Sequence, residues 1–101
     1  MIYGLDDDDI RKINAVFSSH SAVQEVIIFG SRAIGNYKPG SDVDLVVKGE
    51  NLKHSDLLNL SVELDDLGAL YTFDVQHYDA IRDADVLDHI NRAGKQFYVK
   101  E

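Results

Sequence analysis

The chain has 101 residues, 45% of them hydrophobic and 28% charged, with ten basic against eighteen acidic side chains and a formal charge of −8. That length fits one domain, residues 1–101, and the composition is that of a soluble globule with no apolar run near the ~18 residues of a spanning helix, no signal pattern after Met1, and no cysteine for disulfides or thiolate metal sites, as suits the cytoplasm. The acidic balance argues against a general nucleic-acid binder, which needs Lys and Arg to displace phosphate counterions, and suits a basic partner or a protein that recruits divalent cations.

In chain order, residues 2–5 are a short apolar lead-in and residues 6–9 an unbroken run of aspartates. Ile10, Ile13, Val16 and Phe17 then recur at helical spacing and predict a helix of about three turns. The acidic run reads as its start, where carboxylates cap free N–H groups and meet the positive end of the dipole. Residues 23–29 (VQEVIIF) read as a strand stopped by Gly30. Residues 31–34 have room for a turn or two of helix. NYKPGS, residues 36–41, is a turn, because Pro followed by Gly punctuates a chain. Residues 42–48 are the second strand. Ser55 is placed to cap a helix over 56–67, whose stripe of Leu57, Leu60, Leu64 and Leu67 is widened by Leu58 and Val62 and closed by Gly68. Residues 70–78 (LYTFDVQHY) alternate as a third strand, with Phe73 and Val75 on one face and Asp74 and Gln76 on the other. A last helix over 84–93 turns Val86, Leu87, Ile90 and Ala93 inward, and Gly94 ends or loosens it. Phe97, Tyr98 and Val99 are then an interface or the last piece of core. The order is helix, strand, short helix, strand, helix, strand, helix.

The second strand carries the chemistry. Side chains alternate along a strand, so Asp42 and Asp44 leave one face while Val43, Leu45 and Val47 leave the other. The strand is too apolar for a solvated edge, and two carboxylates about 6.5–7 Å apart at the backbone repel each other. At that spacing both can converge on Mg²⁺, which takes a few protein oxygens and leaves the rest to water and phosphate. Asp74 joins them if the third strand lies beside the second. Gly30 and Ser31 follow a strand directly, so their backbone N–H groups can cradle an anion, with the Ser31 hydroxyl as a further donor and Arg32 as a formal charge. Each motif is weak alone, since Gly-Ser is an ordinary turn and Asp-x-Asp is common on exposed strands. In this order they lay out a site for a metal-bound triphosphate. His20, His54, His77 and His89 lack ligand spacing and read as structural or surface residues. Tyr37 reads as packing rather than stacking on a base, and Lys38 as an exposed turn residue.

GSRAIGNYKPGSDVDL, residues 30–45, closely resembles the signature of the minimal nucleotidyltransferases of the DNA polymerase β-like superfamily: Gly-Ser-Arg-Ala-x-Gly, a short loop, then Ser-Asp-x-Asp-Leu. Asp74 matches the family's later third aspartate, and Gly94, Lys95 and Tyr98 its Gly-Lys/Arg-x-x-Tyr tail. Ile34 departs from the pattern at a position often basic in relatives. The resemblance implies an α+β fold, a mixed β-sheet with flanking helices, two Mg²⁺ ions, and transfer of a nucleoside monophosphate, AMP from ATP. It implies that Asp42 and Asp44 bind both metals and that Asp74 completes the site for the metal activating the acceptor hydroxyl. Gly30, Ser31, Arg32 and Ser41 would hold the nucleotide's phosphates or brace the loop. Members this short resemble antitoxins encoded with a HEPN ribonuclease toxin, some of which are implied to silence it by transferring AMP to a tyrosine. The chain has no room for an acceptor-binding domain, so the acceptor comes from a partner protein or a second copy, which leaves a homodimer open. Two other readings stand beside the enzyme: a non-enzymatic antitoxin of the same fold that covers its partner, and a transferase for a small aminoglycoside-like acceptor.

Overall fold

A computed structural model describes residues 1–68 and 70–101. The elements are α1 (Asp7–Ser18), β1 (Glu25–Phe29), α2 (Ser31–Ile34), β2 (Val43–Lys48), α3 (His54–Asp65), β3 (Phe73–His77), a 3-10 turn (Tyr78–Ala80), α4 (Ala84–Ala93) and β4 (Lys95–Val99). The strands form one sheet in the order β3-β2-β1-β4. β1 runs antiparallel to both β2 and β4, whereas β2 and β3 are parallel. A parallel pair needs a crossover, and α3 provides it.

Alternation along the central strands splits the apolar residues between the two faces. Val26, Ile28, Val43, Leu45 and Val47 pack with Leu5, Ile13, Phe17, Leu57, Leu60 and Leu64 into the larger core, under α1 and α3. Ile27, Phe29 and Val46 meet Ile90, Val86, Tyr78 and Ile81, which puts α4 and the 3-10 turn on the opposite face. Asp44 alternates with Val43 and Leu45, so it lies on the α4 face.

The mixed sheet and flanking helices agree with the expected α+β class, with several local corrections. A fourth strand follows the last helix. Gly94 makes this possible by close approach: a Cβ there would stand 2.5 Å from the Ile90 carbonyl oxygen and 2.6 Å from Ile27 Cγ2. The tail thus belongs to the sheet, and Tyr98 sets its ring 5.9 Å from that of Phe17. α3 begins at His54, so Ser55 lies inside it, and the Asp56 carboxylate accepts the Lys53 N–H at 2.9 Å. Asp6 is the N-cap of α1, but its side chain makes no cap bond; Asp7, Asp8 and Asp9 lie in the first turn, where they face the positive end of the dipole, and Asp8 also pairs with Arg11. Leu58 and Val62 do not widen the buried stripe, being 55% and 58% exposed.

Candidate functional site

The site begins where β1 stops. Gly30 has φ +76 and ψ −157, a conformation almost confined to glycine. A Cβ on Gly30 would lie 2.2 Å from Asp44 Oδ2, so the bare backbone is what lets the turn rest against that carboxylate. Phe29, just before it, is the register partner of Asp44. Ser31 opens the single turn of α2, which closes on Gly35 at φ +88. Tyr37 and Lys38 follow in an exposed loop.

Arg32 is only 2% exposed. Its Nε and Nη2 donate to the Ser41 carbonyl at 3.2 and 2.8 Å, and Nη1 donates to the Tyr3 carbonyl at 2.9 Å. The guanidinium carbon lies 5.2 Å from the Tyr37 ring centre and 5.3 Å from that of Tyr71. Among the described residues no carboxylate pairs with it at ion-pair distance. These contacts make Arg32 the brace of the loop: its fork ties the chain entry and the end of the turn to α2, between two aromatic faces. Ser41 serves the same closure, since its hydroxyl accepts the Lys38 N–H at 2.8 Å. Tyr37, 36% exposed, lies over the Arg32 guanidinium, whereas the sequence put it against the strand.

Asp44 and Asp74 face each other in the parallel register of β2 and β3. Strands in a sheet lie about 4.8 Å apart, so two carboxylates at matched positions emerge side by side. Asp42 precedes Asp44 by two residues and is exposed, Asp44 is half-buried, and Asp74 is exposed. Burial first, then the charges of Asp74 and Asp42, push the Asp44 carboxyl above its ordinary value, while the Arg32 charge pulls it down. Gln76 donates to Asp74 Oδ2 at 3.3 Å and holds that carboxylate on the exposed side.

The chemistry of the donors bears on divalent magnesium. The donors are hard carboxylate oxygens, and the crowding that raises Asp44 is a repulsion that a cation relieves. The residues fit the ion. Among the described residues, however, no three His, Cys, Asp or Glu side chains are already drawn into a coordination cluster. A cleft of about 650 Å³ lies elsewhere, lined by Asn14, His20, Gln96, Phe97 and Tyr98 among others, and none of the site residues borders it.

His89, read from sequence as a structural or surface residue, has a place at this site that the sequence did not assign it. His89 Nε2 accepts the Gly30 N–H at 3.0 Å, across a separation of 59 residues. A signal for it existed: Val86, His89, Ile90 and Ala93 recur at three, one and three, a helical stripe that puts the imidazole on the inward face.

A family model described as polymerase beta, nucleotidyltransferase matches residues 11–101, a span that includes the Gly30 turn and all three aspartates. The chain belongs to this nucleotidyltransferase family. A search of curated proteins returns no match. Among solved structures, the nucleotidyltransferase fold here is similar to a chain of a toxin–antitoxin complex with AMP-PNP, at TM-score 0.70 and 20% identity, covering 96% of this chain and 76% of that one. It is similar to a chain in the complex of tri-AMPylated Shewanella oneidensis HEPN toxin with MNT antitoxin, at TM-score 0.68 and 17% identity, covering 95% and 74%. A putative nucleotidyltransferase from Sulfolobus solfataricus aligns at TM-score 0.54 and 21% identity, covering 93% and 86%. At these identities the likeness is one of fold. No helix among the described residues is long and apolar enough to cross a membrane.

Proposed function

We propose that the chain transfers AMP from ATP to a hydroxyl on a partner protein, and that it acts as the antitoxin to a HEPN-type toxin. One observation carries the reading: Asp44 and Asp74 stand at matched register on neighbouring strands, against a glycine turn that has no room for a side chain. The similar folds in toxin–antitoxin complexes, one with AMP-PNP and one with an AMPylated toxin, support the substrate and the partner.

In this reading Asp42, Asp44 and Asp74 hold Mg²⁺, with two ions expected. Bound magnesium supplies neutralising charge to the triphosphate and makes the acceptor hydroxyl more acidic. Ser31 offers its backbone N–H and hydroxyl to the β- and γ-phosphates, and Gly30 gives them space. Arg32 and Ser41 keep the loop closed, and the Arg32 charge acts on the phosphates from behind the turn. The acceptor oxygen forms a bond to the α-phosphorus while the bond from that phosphorus to the α–β bridging oxygen breaks. Pyrophosphate leaves, and the hydroxyl proton passes to a carboxylate oxygen of Asp74.

The test is to incubate the chain with Mg²⁺, α-labelled ATP and the product of its neighbouring gene. Label is expected on that protein, and none with Asp44→Asn. A wild type that blocks the partner and leaves it unlabelled contradicts the transferase and establishes an antitoxin that works by covering its target.

A further inference from the structure

We infer that His89 is a positioning residue for the Gly30 turn, an inference that rests on the triphosphate site proposed above. A backbone amide can only donate, so the Gly30 N–H at 3.0 Å requires a lone pair on His89 Nε2. The imidazole is therefore neutral and carries its proton on Nδ1. Protonation at Nε2 would forfeit the bond. The ring is held edge-on to Phe29, with centroids 6.2 Å apart, and its neighbour Ile90 is buried at 2% exposure. It thus projects from a docked helix, and rigid mounting is what a positioning group needs.

The geometry that follows concerns the peptide between Phe29 and Gly30. On one side Phe29 is paired with Asp44 across the ladder, and Asp44 Oδ2 fills the space a side chain on Gly30 would take. On the other side His89 takes the amide hydrogen. The peptide is pinned between the carboxylate strand and α4, which sets how far the turn stands from Asp44. One N–H cannot make two linear bonds, so His89 and a phosphate oxygen cannot share the Gly30 hydrogen. This assigns the turn's residues different work: Gly30 supplies shape and is held by His89, and Ser31 supplies the donors to the nucleotide.

Amide exchange and kinetics test the assignment in the full chain. His89→Phe keeps the ring's packing on Phe29 and removes the acceptor; His89→Gln places an amide group near the former Nε2. In the Phe variant the Gly30 amide should exchange about tenfold faster and the KM for ATP should rise about tenfold with little change in kcat, an effect of the size of one net hydrogen bond, and Gln should restore both. A scalar coupling between the Gly30 and His89 Nε2 nitrogens through the hydrogen bond should also be visible in the wild type, which needs no variant to fold. The inference is overturned if that coupling is absent, if Gly30 exchange is unchanged in a folded Phe variant, or if the loss falls on kcat alone. A wild type that binds no nucleotide sinks the functional reading separately, and the coupling and exchange still decide the tether.

Discussion

Asp44 is the residue on which stability and activity pull in opposite directions. Its folded-state pKa lies above its ordinary 3.8 through burial and then the charges of Asp74 and Asp42. Between 3.8 and the raised folded value, the folded chain holds a proton that the unfolded chain has released, so this group's contribution to stability grows as pH falls through that window. Above the folded value the ionised carboxylate costs stability. Asp44→Asn should therefore raise the urea midpoint at neutral pH, with the advantage shrinking as pH falls toward the carboxylate range, while activity is lost. Equal midpoints at neutral pH would contradict the crowding. Gly30→Ala tests the neighbouring contact. With φ at +76 and a Cβ only 2.2 Å from Asp44 Oδ2, it should cost about 1–3 kcal/mol in denaturant melts and displace the carboxylate to which the proposed transfer assigns a metal. The three aspartates and the glycine were legible because charges on an apolar strand and a glycine after a strand are local anomalies. His89 was not, because a lone histidine on a helix says nothing of what it meets 59 residues away.

At the scale of elements, the loop between β1 and β2 is organised around a buried guanidinium rather than a core of its own. Arg32→Met would keep most of the side chain's volume but leave the Tyr3 and Ser41 carbonyls without their donor. Loss of those bonds should destabilise the chain by about 2–4 kcal/mol, read by urea denaturation, and Arg32→Lys should recover only part of it because an ammonium cannot reproduce the fork. A phosphate-contacting Arg32 would instead spare stability and raise the KM for ATP. Most elements could be read from local pattern: the periodicity of α1, α3 and α4, the Pro-Gly turn and the single turn of α2. Ends were less legible. Residues 23–24 and 70–72 carry strand-like composition but lie outside β1 and β3, although Gln24 still bonds to Lys48 and Lys100 and Thr72 to Val43, and Ser55 lost its capping place because Asp56 reached back to Lys53. β4 escaped because Lys95 and Gln96 open it on the exposed side, and its pairing depends on Gly94 fitting against Ile27. Gly94→Ala should accordingly loosen β4, seen as faster amide exchange over residues 95–99; unchanged exchange there would contradict that close approach.

For the whole molecule, the two sheet faces divide the labour. The α1 and α3 face buries the larger core, while the α4 face is covered beside Ile27, Phe29 and Val46 and left open at Asp44 and Asp74. The meeting of those two aspartates could be anticipated only as a condition, since parallel pairing across a helical crossover is set by tertiary packing and not by any local signal. The surplus of eight negative charges agrees with a site that gathers cations and with a partner that presents basic residues. The central claim is that this face moves a nucleotidyl group to a partner protein, and ATP labelled separately at its α- and γ-phosphates tests it most directly. With Mg²⁺ and the neighbouring gene's product, the account predicts that α-label appears on the partner and γ-label leaves in pyrophosphate. Transfer of the γ-label to the partner, or of neither label, would contradict it.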